Sequence, residues 1–341
     1  MIPTSIYAAY FYTGSGLGDI LSSFRQGSSN YNEYQRYFME NSLHVFSEKK
    51  ILAILSLFLM KITLVCYFIL CVFSRSNWYL WVGLIITGCS YVYFSLARGT
   101  SFELFEILLL VVYSFFMSWK GKKIGANSFL KVTVTLLVVI VSVIIFYNNI
   151  SLRYGGQLAD LCTSQVLCYS NDSLLSNISP ALAYLSVKLS AYFAFGIYYV
   201  SYFFEYFLSE SNYGLFYILM PLNNLLFNIE PEFLCAKDVD CGASWVPYSL
   251  NMFLLLGAIL YFIIIFLIGR TSQWLTCLLG SSNRLEPVCA LSLLYFIFMF
   301  MVSLPVGNFL VGSSANILSS LFLLVCIICR KLLSKQKKIR V

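Results

Sequence analysis

Long apolar runs follow one another along most of this chain, and they are continuous rather than alternating. Runs at roughly 51–73, 78–97, 102–118, 129–147, 249–269, 287–305 and 309–329 each approach the ~20 residues a helix needs to cross a bilayer. Continuity favours helices, which close their backbone hydrogen bonds within the segment; barrel strands would alternate. The opening run at 2–17 (IPTSIYAAYFYTGSGL) is a weaker candidate, because Gly14, Gly16 and Gly18 dilute it. The pattern predicts an all-α polytopic membrane protein with roughly 7–8 transmembrane helices.

One long interruption, from Asn148 to Pro247, divides the chain. It separates an N-terminal bundle at 1–147 from C-terminal helices at 249–329, with a loop at 148–248 and a basic tail at 330–341. Inside the loop, the run at 178–208 (ISPALAYLSVKLSAYFAFGIYYVSYFFEYFL) is long enough to tempt a further span. A single extra crossing would break the charge pattern described below. Lys188, Glu205 and the dense aromatics favour an amphipathic or re-entrant element at the interface. Two crossings, with the second near 215–227, are the alternative.

Composition agrees with the pattern. The 341 residues are 60% hydrophobic and only 11% charged, against about 45–50% and about 25% in soluble domains. The net charge of +7 would suggest nucleic acid in a soluble protein. Here the cations sit beside the spans, where they set orientation. Lys120, Lys122, Lys123 and Lys131 flank one loop, Arg270 and Arg284 bracket another, and Arg330, Lys331, Lys335, Lys337, Lys338 and Arg340 fill the tail. Placing all three on the cytoplasmic side agrees with the span count and puts the large loop outside. There Arg153, Lys188 and Lys237 are outnumbered by Asp160, Asp172, Glu205, Glu210, Glu230, Glu232, Asp238 and Asp240. The same counting puts Arg98 at the external face.

No cleavable leader is expected, since Met1–Gly16 lacks a basic n-region and an Ala-x-Ala site. Cys162, Cys168, Cys235 and Cys241 lie in the loop and allow three pairings. The other cysteines lie in apolar segments and read as buried or free thiols. Nothing suggests a metal site or a cofactor: neither a CxxC nor a His partner supports zinc, and His44, the single histidine, is read as a surface residue. Neither a P-loop, nor a dinucleotide fingerprint, nor an acidic pair for a nucleotide-sugar donor occurs in the cytoplasmic loops.

The candidate chemistry lies at the span edges. Arg98 stands in SLARGTSFELFE (95–106), where one span ends and the next begins. A guanidinium there either grips phosphate or carboxylate bidentately or anchors the helix at the interface. Glu103 and Glu106, three apart, share a helix face and either serve the site or pair with Arg98. Lys61 is mid-span and should face a polar cavity or a carboxylate. The aromatic run at 184–207 reads as an interfacial belt or as a platform for sugar rings.

The run YFLSESNYGLFYILMPLNNLLFNIEPE (206–232) resembles the "YGL, then Pro, then Phe-x-Ile" signature of bacterial Wzy-type O-antigen and capsule repeat-unit polymerases. SWVPYSLNMFLLLGAILYFIIIFLIGR (244–270) and PVCALSLLYFIFMFMVSLPVGN (287–308) are similar to the segments that follow it. ARGTS (97–101) matches an Arg-Gly-Thr at a helix start, and YAAYFYTGSG with YNEYQRYF resembles the external entry region. The family has more spans than are found here, so Met1 reads as an internal start. The resemblance implies a GT-C-like glycosyltransferase of the bacterial inner membrane, with the large loop periplasmic. It would transfer the growing glycan from undecaprenyl pyrophosphate to the non-reducing end of a new lipid-linked repeat unit. Implied partners are that oligosaccharide donor, membrane lipids and, as a candidate, a chain-length regulator. Arg98 and Arg153 are the expected cations for the leaving pyrophosphate. Glu103, Glu205 and Glu210 are the candidate bases. Lys188, Tyr206, Tyr213 and Asn223 are the candidate substrate contacts. The alternatives are a lipid-linked oligosaccharide flippase, which would carry charges within its bundle, and an O-antigen ligase, which would need a loop histidine.

Overall fold

In the computed structural model, the residues described are 1–16, 18, 30–41, 47–73, 78–100, 102–119, scattered positions at 140–151, 170, 172–187, 190, 248–280, 285–304 and 313–339. All the regular elements among them are helical: α1 (Ile2–Thr13), α2 (Asn30–Glu40), α3 (Glu48–Phe73), α4 (Trp78–Arg98), α5 (Phe102–Trp119), α6 (Leu174–Ile178), α7 (Tyr248–Leu278), α8 (Leu285–Ser303) and α9 (Ser314–Ile339). Among the described residues, five stretches are long and apolar enough to cross a membrane: Glu48–Phe73, Trp78–Arg98, Ala258–Leu278, Glu286–Ser303 and Ser314–Leu332. The chain is therefore an all-α, multi-pass membrane protein. The run at 102–118, expected to span, forms the 18-residue helix α5, which is not among those five. The one expected at 129–147 falls largely outside the described residues.

Boundaries differ from expectation in three places. The N-terminal run stops after 12 residues, because Gly14 takes a left-handed φ of 69° and its N–H bonds back to the Tyr10 carbonyl. At about 1.5 Å per residue, α1 is too short to span. Helix α7 continues past Arg270 to Leu278, since no glycine or proline follows before Gly280 to end it. Helix α9 continues through the first basic residues of the tail as far as Ile339.

The chain forms two compact units. The first contains residues Met1–Leu158, Leu278–Phe296 and Ser313–Val341, and at its centre α3 packs against α1, α4, α5 and α9. Burial on α3 follows helical spacing, with Ala53, Ser56, Met60 and Leu64 facing inward. Ala8 and Ala9 of α1 are fully buried. Small side chains there let helix backbones approach closely, the usual device where lipid offers no competing driving force. On α4, the buried Thr87 and Ser90 return their hydroxyls to the carbonyls of Gly83 and Ile86 at 2.6 and 2.8 Å. Their polarity is thus satisfied within the helix itself.

The second unit contains Ala159–Cys277 and Ile297–Gly312. Its short α6 is capped by Ser173, whose hydroxyl accepts from the Ser176 N–H. On α7, Ile259, Leu260, Phe262, Ile263, Phe266 and Leu267 are all exposed, which suits a lipid environment. The cysteines described, Cys66, Cys71, Cys89, Cys277, Cys289, Cys326 and Cys329, are free thiols, as their apolar settings suggested.

Candidate functional site: two ion pairs on one helix

Two polar centres occupy the first unit, and α5 contributes a carboxylate to each. Glu103 and Glu106 lie one turn apart on its inward face and are 2% and 4% exposed. They take different cations. Glu103 Oε1 accepts from Arg98 at 3.0 Å, while Glu106 Oε1 accepts from Lys61 Nζ at 2.8 Å.

The Glu106 centre is sealed inside the bundle. Lys61 is 4% exposed on α3, in the middle of a span. Its carboxylate partner also accepts from Asn316 Nδ2 of α9 at 3.0 Å and, on Oε2, from the Tyr91 hydroxyl of α4. Tyr295 of α8 donates to the backbone carbonyl of Glu106 at 2.7 Å. The rings of Tyr91 and Phe102 stand 5.9 and 5.8 Å from the ammonium. Side chains from α3, α4, α5, α8 and α9 thus meet at one residue. An ion pair in a span is tolerated only when its remaining hydrogen-bonding capacity is met in this way.

The Arg98 centre lies at the end of α4, and the Arg-Gly-Thr sequence forms it. The Gly99 N–H bonds to the Leu96 carbonyl and the Thr100 N–H to that of Ser95, at 3.0 and 3.1 Å, the pairing of a Schellman cap. Gly99 supplies the left-handed residue at φ 59°. The motif, expected at a helix start, therefore closes one helix and turns into the next. That turn aims Arg98 and Thr100 at the same carboxylate, with the Thr100 hydroxyl on Glu103 Oε2 at 3.0 Å. Arg98 itself is only partly covered, its side chain 20% exposed. Its Nε makes no hydrogen bond among the described residues. Three rings surround the guanidinium carbon: Tyr34 and Phe94 at 5.1 Å and Tyr12 at 6.0 Å. Burial raises the Tyr34 phenol above its ordinary value of 10.0, although the Arg98 charge pulls the other way. Tyr34 is therefore a neutral ring at physiological pH.

Glycine is required at residue 99. A β-carbon there would stand 2.5 Å from the Tyr31 backbone nitrogen, and φ is already left-handed. Gly99→Ala is expected to cost at least about 1–2 kcal/mol from the backbone conformation alone, with the clash added. At Gly14 the obstacle is the Tyr37 ring, also at 2.5 Å, which can turn aside. Gly14→Ala should therefore cost less, and thermal unfolding of the two variants in detergent gives the order.

Of the residues singled out from the sequence, the structure joins Arg98 to Glu103 and assigns Glu106 and Lys61 to each other. It resolves the choice at Lys61 in favour of a carboxylate. Arg153, Lys188, Glu205, Tyr206, Glu210, Tyr213 and Asn223 lie outside the described residues, as does most of the loop at 148–248. Tyr91, Asn316, Tyr295, Thr100, Tyr12 and Tyr34 escaped the sequence reading. The first two carried a weak signal, as polar side chains within apolar runs. The chain matches no protein-family model, no curated protein and no solved structure.

Proposed function

We propose that this multi-pass membrane protein is a Wzy-type polymerase of lipid-linked glycan repeat units, with a GT-C-like arrangement and a periplasmic loop. Support comes from the sequence resemblance, and the observation that carries it is the setting of Arg98. A cation at the end of a spanning helix, partly open and oriented by Glu103, suits a pyrophosphate at the membrane surface. In the reaction, a hydroxyl at the non-reducing end of the fresh repeat unit attacks the anomeric carbon of the growing glycan. The bond from that carbon to undecaprenyl pyrophosphate breaks, and charge gathers on the leaving group, where Arg98 would neutralise it. Both oxygens of Glu103 are already engaged and the residue is buried, so its part is to position Arg98. The proton of the attacking hydroxyl then falls to Glu205 or Glu210.

A second reading is a flippase for the same lipid-linked substrate, and the buried Lys61–Glu106 pair favours it. Charges paired inside a bundle suit a transporter that alternates between states. Deletion of the gene separates the two. A polymerase loss leaves single repeat units on the lipid A-core in place of long chains. Loss of all surface glycan, single units included, would overturn the polymerase reading in favour of the flippase or the ligase.

A further inference from the structure

We propose that α2 is a displaceable cap over Arg98, and that an anion and the Tyr34 ring compete for the guanidinium. The inference rests on reading Arg98 as an anion contact. Every residue of α2 keeps some solvent exposure; Tyr31, Tyr34, Tyr37 and Phe38 turn toward the protein, while Asn32, Glu33, Gln35, Arg36, Met39 and Glu40 are exposed. The inward positions recur at helical spacing, so α2 presents one tyrosine-rich face. Its N-terminus sits on the α4 turn, where Asn30 Nδ2 donates to the Leu96 carbonyl at 3.2 Å and the Tyr31 backbone closes over Gly99. From that seat Tyr34 lies 5.1 Å from the Arg98 guanidinium carbon. Further along, the Tyr37 ring lies against Gly14.

The attachment is shallow. A helix in which no side chain is fully buried belongs to the low-stability end of a fold. The other two rings near Arg98 behave differently. Phe94 is 1% exposed within α4, and Tyr12 packs on it at 6.0 Å between centroids. Of the three rings, only that of Tyr34 can leave without disturbing the bundle. Its departure would uncover the guanidinium beside Nε, while Glu103 continued to hold Nη1. An anion that binds only the uncovered state shifts the population toward it.

The test is calorimetric titration of inorganic pyrophosphate into the purified full-length protein in nonionic detergent. Tyr34→Ala, which removes the ring, and Asn30→Ala, which loosens the seat, should each bind roughly fivefold tighter than wild type. Tyr34→Phe keeps the ring but loses the phenol's hydrogen bond to Arg98, so it should bind more weakly than Tyr34→Ala, and Arg98→Gln should abolish binding. Equal or weaker binding by Tyr34→Ala would make the ring part of the site and overturn the cap. So would tightening in Tyr34→Phe equal to that in Tyr34→Ala, or saturable binding in none of them. Repeating the titration in phosphatidylglycerol and phosphatidylcholine nanodiscs identifies the anion's source. Competition by phosphatidylglycerol that is stronger in Tyr34→Ala supports the cap with a lipid headgroup as its displacing ligand; no competition supports it with a free or substrate pyrophosphate. The polymerase reading fails separately: a deletion strain with normal glycan ladders refutes it while leaving the titration result intact.

Discussion

Lys61→Met should destabilise the protein by about 3–5 kcal/mol, the range for removing one partner of a buried ion pair. The cost follows from what remains. Glu106 would keep Tyr91 and Asn316 as donors but lose its countercharge, and it is only 4% exposed. Glu106→Gln should also be destabilising, because it leaves the Lys61 ammonium in a span with no anion. The double variant Lys61→Met, Glu106→Gln should recover most of the loss, since the amide oxygen still accepts from Asn316 and the amide NH2 can donate to the Tyr91 hydroxyl. Thermal unfolding in detergent, read as a double-mutant cycle, measures the coupling. A cost below about 1 kcal/mol for Lys61→Met, on the scale of an exposed pair, would show that the two charges do not depend on each other.

If the proposed polymerase function holds, Arg98→Ala should reduce polymerisation by about 10²–10³-fold, the loss seen when one donor to a developing anion is removed. Surface glycan should then stop at single repeat units while membrane levels of the protein are maintained. Arg98→Lys should not rescue, because an ammonium cannot hold Glu103 and a phosphate with the planar fork that a guanidinium offers. The variant also strips Glu103 of its cation, so a structural effect needs its own control. In Arg98→Ala, Glu103→Gln the stranded carboxylate is gone. Single units persisting in that double variant assign the loss to the missing guanidinium; restored ladders assign it to the buried charge. Wild-type ladders in Arg98→Ala itself would exclude Arg98 from the reaction.

Both expectations depend on features that differ in how far the sequence reveals them. That Lys61 needs a polar cavity or a carboxylate is evident from its neighbours, because an ammonium between Leu59 and Leu64 has few other ways to exist in a span. Which carboxylate it meets is not evident. Glu103 and Glu106 share one face of α5 and look equivalent along the chain. The packing of α3 and α4 against that face gives Glu106 to Lys61 and Glu103 to Arg98. Asn316 reaches the same centre from 210 positions away, a separation at which local pattern carries no information. Tyr34 is a similar case: its helical spacing with Tyr31 and Phe38 is local, but its meeting with Arg98 is not.

The Arg-Gly-Thr turn lies between these extremes. Its glycine and the neighbouring acidic helix are local features. The turn lies where one helix ends and the next begins, as the hydropathy pattern places it, and two backbone bonds close the first helix there. By itself, the sequence determined the helical class, the membrane setting and the position of most of the spans described. Those properties follow from segment-scale hydropathy and from the need of each backbone to satisfy its own hydrogen bonds in lipid. The tertiary structure alone decided the partners of the buried charges and the seating of α2 over Arg98. These are contacts between segments far apart in the chain, selected by helix packing rather than by any local preference.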